Sequence, residues 1–457
     1  MLFVFRLPSL LGSMAVLISA AAHAAEYSLD SDYGISARYN DNYRLALNPK
    51  SEFDELSGAD FSADYSLARN TEVSSLSTTL DLDAGSYNLD AFNTFDQRLA
   101  SNYRRNYERG SWNFGASFNN DSVTVTEATT GASGRFTQTD ERSRSLGLNA
   151  GWFSQLTERH SFNWSAFGTR QRYDSDSYTD YKYAGASVLW QFMVQERLRL
   201  QTQLGYNALH SEDDNLVFSP LIFDADALGI DRSFVPLVVA ACQNFPNTPI
   251  VLGSTFECLK NSAIDNEQST VTTQLGVYYA FSENLLLDVL VGRSTTDTDS
   301  VRTYSNRTAG ATDNVPDQTI KRKNDSTTYT ASLVYDAENL EYTLSASSRD
   351  TANSAGILTL NRRVDFDTNW RPDARNGYLL RLSWLDQQSS SDDDAFFLGR
   401  EYYEGLVRYS RRLNEDWTMS GTYRYIDLRR AGVKEHANSN QVALALTWRP
   451  TTLKWSR

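Results

Sequence analysis

The stretch that decides the fold is YSLDSDYGISARY at residues 27–39. Alternation with period two predicts a β-strand that has one apolar and one polar face. A strand of a soluble sandwich usually keeps such a pattern for about 5–6 residues, whereas a strand that crosses a membrane needs about 9–11. The length of this stretch therefore favours a membrane strand. Its apolar parity is Tyr27, Leu29, Tyr33, Ile35, Ala37 and Tyr39.

The same alternation recurs along the chain and predicts eighteen strands. Their connections alternate between eight short turns and longer loops, with loops over 119–141, 170–182, 208–269, 295–326, 386–400 and 427–440. Bacterial outer-membrane barrels have an even number of strands, short periplasmic turns and longer extracellular loops. The sequence therefore predicts an all-β, transmembrane, antiparallel up-and-down β-barrel of about 18 strands in the outer membrane, with both termini in the periplasm.

The N-terminus predicts export. Arg6 is the only charged residue before Glu26, an apolar run follows it, and Ala22-His23-Ala24 supplies small residues at the exit. A short apolar core with such an exit is typical of a secretory signal peptide. We therefore expect a signal peptide over residues 1–24 and a barrel over residues 25–457, with an uncleaved anchor as the alternative.

Charged residues on the polar face are predicted to line the lumen in two sectors, one acidic and one basic. A polar wall of this kind fits a water-filled path for polar or charged solutes. The alternative is that these side chains interact only with one another and with water. The middle strands carry mainly Ser, Thr, Asn, Gln and Gly on this face. The predicted lining is acidic at Asp30, Asp32, Asp60 and Asp64 and basic at Arg363, Arg371, Arg381, Arg408 and Arg424.

The loop over 208–269 is unusually apolar for an exposed segment, from Leu216 to Phe223 and again from Phe234 to Ala241. Exposed apolar patches usually contact something, so the loop either folds into the lumen or packs on the rim. Cys242 and Cys258 are the two cysteines of the chain. Export favours a disulfide between them, with two free thiols as the alternative.

Other functional classes have little support. The net charge of −14 disfavours a nucleic-acid partner, because a basic footprint is missing. The few histidines are not placed beside a nucleophile or an acid, so no catalytic residue, metal site or cofactor is predicted. Acidic residues in the predicted loops could bind Ca²⁺ or simply be solvated. They are Asp174, Asp176, Asp180, Asp297, Asp299, Asp392, Asp393 and Asp394.

The first hairpin carries a motif at residues 37–45, ARYNDNYRL, and short turns occur at 282–284 (SEN) and 337–339 (AEN). These features resemble the β-barrel porin type 2 family, whose members are outer-membrane barrels often associated with exopolysaccharide loci. The resemblance implies export of, or attachment to, a surface polysaccharide, with polysaccharide-export proteins as partners. It supplies no catalytic residues. The chain departs from the usual barrel ending, because it stops at Trp455-Ser456-Arg457.

Three functions remain open at this stage. The first is a passive, porin-like outer-membrane channel that passes, or supports the export of, a surface polysaccharide. The second is a structural or adhesion barrel with a plugged lumen, whose extracellular loops bind surface polymer. An enzyme is the third. In each case the expected partners are outer-membrane lipid, lipopolysaccharide and the barrel-insertion machinery, which would read either the strand ending at Trp448 or the short C-terminal tail.

Overall fold

The computed structural model describes residues 25–46, 49, 54–122, 141–174, 178–213, 250–251, 255–256, 262–304, 318–352, 357–389, 399–430 and 435–456. The predicted signal peptide, Cys242, Cys258 and the apolar stretches of the predicted loop lie outside these ranges. Within the described part of the chain, no helix is long and apolar enough to cross a membrane.

Eighteen antiparallel strands form one closed ring in which each strand pairs with its neighbours in sequence. The strands are β1 (Glu26–Asn40), β2 (Leu56–Asn70), β3 (Ser74–Tyr87), β4 (Thr94–Tyr107), β5 (Gly110–Ser122), β6 (Arg142–Gln155), β7 (His160–Tyr173), β8 (Tyr181–Gln195), β9 (Leu198–Asp213), β10 (Ser262–Ala280), β11 (Leu285–Tyr304), β12 (Gln318–Ala337), β13 (Leu340–Ala352), β14 (Leu358–Trp370), β15 (Asn376–Ser389), β16 (Arg400–Arg412), β17 (Trp417–Arg430) and β18 (His436–Trp448).

The ring closes between the first and last strands. Tyr33–Asn40 of β1 pair with Gln441–Trp448 of β18, and a short terminal strand, Leu453–Ser456, continues the pairing along Glu26–Leu29. Closure gives every strand of the ring two hydrogen-bonded neighbours, so the ring has no edge strand. The predicted all-β barrel of eighteen strands is confirmed, and both described ends of the chain lie at the end of the barrel that carries the short turns.

The outer face of the barrel is apolar. Leu148 is 58% exposed, Leu275 65% and Leu444 64%. Stacked aromatic rings lie near the short-turn ends of the strands, as at Trp112 and Trp152, whose ring centroids are 5.4 Å apart, and at Trp370 and Tyr378, at 5.1 Å. A continuous apolar band bordered by aromatic rings is typical of a barrel that faces lipid.

Polar side chains fold five of the short turns in the same way. Each of these turns begins with a Ser, Thr, Asp or Asn. Its side-chain oxygen accepts a hydrogen bond from the backbone N–H of the residue three positions later, which is the first residue of the next strand. Examples are Asn414 to Trp417, 2.8 Å, and Ser282 to Leu285, 3.1 Å. The others begin at Thr71, Thr157 and Asp373.

The strands beside the predicted loops run further than the alternation predicted, and three of them run furthest. β10 has 19 residues, and β11 and β12 have 20 each, so parts of the predicted loops over 208–269 and 295–326 are strand. The prediction missed these parts because their outward positions are polar, and backbone pairing does not require an apolar face outside the membrane band. For the same reason His210, which the sequence predicts in a loop, lies within β9. His160 and His436 are the first residues of β7 and β18.

Candidate functional site

Cross-strand register decides which side chains face the lumen, because directly paired residues point to the same face of a sheet. Asp32 pairs with Asp64, which pairs with Asp81, and Asp60 shares this face. On the basic side Asp367 pairs with Arg381, and Arg363, Arg408 and Arg424 share its face. The nine predicted lining residues therefore lie opposite the apolar face, except Arg371, which lies in the turn after β14.

The acidic sector of the lumen is only partly neutralised. Asp32 accepts a 2.6 Å hydrogen bond from Arg449 Nε, and Thr452 donates to Asp30. Asp60 is 3.1 Å from Arg38 and accepts hydrogen bonds from Ser36 and Tyr87. Among the residues that the structure describes, Asp64 has no ion-pair partner, and neither does Asp81, its neighbour on β3.

The basic sector is largely paired with carboxylates. Arg424 donates from Nε and Nη2 to the two oxygens of Glu404, at 2.9 and 3.1 Å. Arg363 donates to Asp365 and Arg381 to Asp367, each at 2.6 Å. Arg408 donates to Thr422 at 3.2 Å and has no ion-pair partner in the described ranges. The positive potential expected from the sequence is therefore mostly cancelled locally.

The wall from β5 to β12 is mainly uncharged. Its lumen face carries amides such as Asn149, Asn163 and Gln203 among Ser, Thr and Gly. Aromatic rings stand between them: Phe153 is 39% exposed and Phe167 36%. Amides offer both donors and acceptors, so this sector presents hydrogen-bonding groups and flat apolar rings with little charge.

The motif at residues 37–45 seals the seam between β1 and β18. Asn42 is 2% exposed, and its amide donates to the carbonyls of Ala46 and Asn438, at 2.9 and 2.8 Å. Leu45 has a φ of +50°, which is costly for a residue with a side chain, but burial holds it in place. It packs in a cluster with Leu385, Tyr402, Ile426, Leu428 and Ala437.

The β13–β14 hairpin also bends inward. β12 pairs with β13 only as far as Tyr329 and Ser348, although β12 itself begins at Gln318. Beyond that point the hairpin contacts the inner wall of β10 and β11. Leu358 N–H donates to the Gln268 side chain at 2.6 Å, and Ser294 Oγ donates to Asp350 at 3.0 Å.

No protein-family model matches the sequence, and no curated protein matches it. Among solved structures, the chain is similar to the unliganded ferric citrate transporter FecA, with a TM-score of 0.45, 9% identity and coverage of 88% of this chain and 60% of that one. It is similar to the ferric yersiniabactin uptake receptor FyuA from Yersinia pestis, with a TM-score of 0.44, 7% identity and coverage of 93% and 80%.

A third similar structure is the open form of the ferric-catecholate import receptor Fiu from E. coli K12, with a TM-score of 0.44, 6% identity and coverage of 92% and 82%. The chain spans about 60% of the length of the ferric citrate transporter. At this level of identity and overlap, the substrates of these receptors say nothing about the substrate of this chain.

Two features of the lumen were missed by sequence reasoning. The first is the set of carboxylates that pair with the lumen arginines, because these pairs depend on the register between strands. Glu404, for example, lies twenty residues before Arg424, and no local sequence signal joins the two. The inward bend of the β13–β14 hairpin depends on Gln268, which is ninety residues from Leu358. Polar residues in the long-loop half of β13, such as Asp350, gave the only hint that this hairpin contacts a wall.

Proposed function

We propose that this chain is a passive outer-membrane channel for polar solutes. The observation that carries the proposal is the closed ring of eighteen strands with an apolar outer face and a polar inner face. Closure satisfies every strand hydrogen bond in hydrocarbon, which is the condition for spanning a bilayer. A ring of this size is wide enough for an aqueous lumen, and the short-turn end, with both described chain ends, would face the periplasm.

We infer that the solute is a hydroxyl-rich carbohydrate, in keeping with the resemblance to barrels associated with exopolysaccharide. The uncharged sector supports this inference. Asn149, Asn163 and Gln203 can exchange hydrogen bonds with sugar hydroxyls, while the exposed rings of Phe153 and Phe167 offer flat surfaces to the C–H faces of sugar rings. Polysaccharide-export proteins would then be partners at the periplasmic end.

Planar-bilayer recording and liposome swelling test this function together. The purified full chain should give discrete conductance steps and should admit neutral oligosaccharides. Replacing Phe167 with Ala should slow the swelling rate for oligosaccharides more than the rate for an uncharged peptide of similar size. The matched control is Phe118→Ala, since Phe118 faces outward on β5. A complete lack of conductance would reject the channel.

A second candidate is a structural barrel with a blocked lumen. The inward packing of Leu45 and the contact of Leu358 with Gln268 favour it, because both place chain inside the long-loop end of the barrel. If the lumen is blocked there, the wild type should not conduct, and Gln268→Ala with Ser294→Ala should restore conductance by loosening the hairpin. An open wild-type channel whose conductance this double variant leaves unchanged would reject the second candidate.

A further inference from the structure

A cavity of about 1030 Å³ lies against the wall of strands β6–β12, towards the long-loop end. It lies on the outer face of the barrel. Leu146, Leu148 and Tyr206 line it, are 51%, 58% and 51% exposed, and belong to the lipid-facing parity. The inner face behind it is covered, because the β13–β14 hairpin contacts Gln268 there. The cavity is therefore a concave groove on the membrane side of the wall.

Basic residues border the groove above this apolar floor. Arg170 pairs in register with Lys182, and Arg172 is the next outward residue of β7 towards the loops. All three side chains are exposed. Within the described part of the chain none of them has an ion-pair partner. Apolar side chains therefore lie in the membrane band, and the cations lie above them, towards the long loops. A lipid of the outer leaflet has the matching order, with acyl chains below and an anionic head group above.

Other outward cations at the long-loop end are neutralised. Along the same lateral row Lys321 is 2.8 Å from Asp299. Elsewhere on the outer face Arg362 is 3.5 Å from Asp386, and Arg429 is 3.1 Å from Asp427. Lys321 also lines the groove, on its β10–β12 side, where Glu267, Asp297 and Asp299 line it as well. The border formed by Arg170, Arg172 and Lys182 differs from these sites because its cations have no carboxylate partner among the described residues.

We propose that this groove binds a phosphorylated glycolipid of the outer leaflet, of the lipid A class. Its phosphate groups would accept charge-assisted hydrogen bonds from Arg170, Arg172 and Lys182, since guanidinium groups match phosphate oxygens in geometry. One or two acyl chains would lie on Leu146, Leu148 and Tyr206. The inference rests on the proposed placement in the outer membrane but not on an open lumen, so failure of conductance leaves it standing.

Titration of the purified full chain with lipid A, followed by native mass spectrometry, tests the site. The triple variant Arg170→Gln, Arg172→Gln, Lys182→Gln should bind lipid A at least tenfold more weakly. The control variant Arg362→Gln, Arg429→Gln removes two outward cations that lie beside Asp386 and Asp427, away from the groove, and its affinity should stay within twofold of the wild type. The heat-dependent shift in electrophoretic mobility of a folded barrel checks that each variant is folded.

Unchanged binding by the triple variant, or an equal loss in both variants, would overturn the proposal. Displacement of lipid A by millimolar inorganic phosphate would also overturn it, since it would indicate a site for a free anion. The wild type gives a second measurement: bound lipid A should protect Lys182 from acetylation, but not Lys454 at the short-turn end. Equal protection or none would count against the groove.

Discussion

At the residue scale, parity determines whether a side chain of a strand meets lipid or water. Leu148 and Asn149 are neighbours on β6, yet Leu148 pairs with Ala116 on the outer face while Asn149 pairs with Gly115 on the lumen face. The two positions share backbone conformation and depth in the barrel. Comparing the same substitution at both therefore isolates the effect of the surroundings.

Leu148→Arg should lower the free energy of unfolding by about 2–4 kcal/mol, because it places a cation near the middle of the lipid-facing band. Asn149→Arg should lower it by less than about 1 kcal/mol, because the lumen face is polar. Urea unfolding of the barrel in lipid vesicles measures both values. Equal losses at the two positions would show that the assignment of faces is wrong.

The surroundings also determine how much an ion pair contributes to stability, as at the bidentate pair of Arg424 and Glu404. The side chains are only 16% and 11% exposed, so removing one partner leaves a poorly solvated charge. Glu404→Gln should destabilise the barrel by about 3 kcal/mol, and the double variant with Arg424→Gln should recover most of that loss. Urea midpoints of the four proteins give the coupling, and strictly additive losses would refute a direct interaction.

At the element scale, five short turns share one device. The side chain that begins each turn satisfies backbone N–H groups that lie just before or at the start of the next strand. This occurs in turns of different sequence, since Ser, Thr, Asp and Asn all supply a suitable oxygen. In four of the five turns, the residue that follows this first residue is Glu, as in Asn414-Glu415 and Ser282-Glu283. Nothing in the structure explains that preference.

Asn414→Ala should destabilise the barrel by about 0.5–1.5 kcal/mol, because the N–H groups of Asp416 and Trp417 lose their acceptor. The matched control is Glu415→Ala in the same turn, whose side chain makes no hydrogen bond to the turn and which should change stability by less than about 0.5 kcal/mol. Urea midpoints in one detergent compare them. A larger loss from the control would show that the turn is held by something else.

At the scale of the whole molecule, the charge of the lumen is asymmetric. The arginines of β14, β15 and β17 are paired with carboxylates, whereas Asp64 and Asp81 have no ion-pair partner among the described residues. Charges across a wet lumen are screened within about 8 Å at physiological salt, so an unpaired local charge matters more than the overall sum. If the lumen conducts, these two aspartates should favour cations.

Asp64→Asn with Asp81→Asn should therefore shift the reversal potential under a KCl gradient towards anion preference, and more strongly at low salt. Arg408→Gln should shift it the opposite way, because Arg408 faces the lumen on β16 and has no ion-pair partner among the described residues. The control is Glu404→Gln with Arg424→Gln, which removes one charge of each sign and should change little. Equal shifts in all three variants would refute this assignment of the lining.

The sequence by itself determined the strands, their faces and most of their turns. Whether each residue prefers lipid or water is a local property, and the period of two transmits it directly to the faces of a strand. The sequence therefore sufficed for Leu148 and Asp64 to be assigned to opposite faces. It failed for the far ends of β10–β12, where both faces meet water and the alternation disappears.

Only the tertiary structure decided which side chains meet. Register between strands pairs Arg424 with Glu404 and leaves Asp64 without an ion-pair partner among the residues that the structure describes, and no local pattern encodes those distances. The same holds where the β13–β14 hairpin reaches Gln268, and where Arg170 and Lys182, on successive strands, border one groove. Strand formation depends on the preference of each residue for its solvent, but a site depends on the relative positions of strands that only closure of the ring fixes.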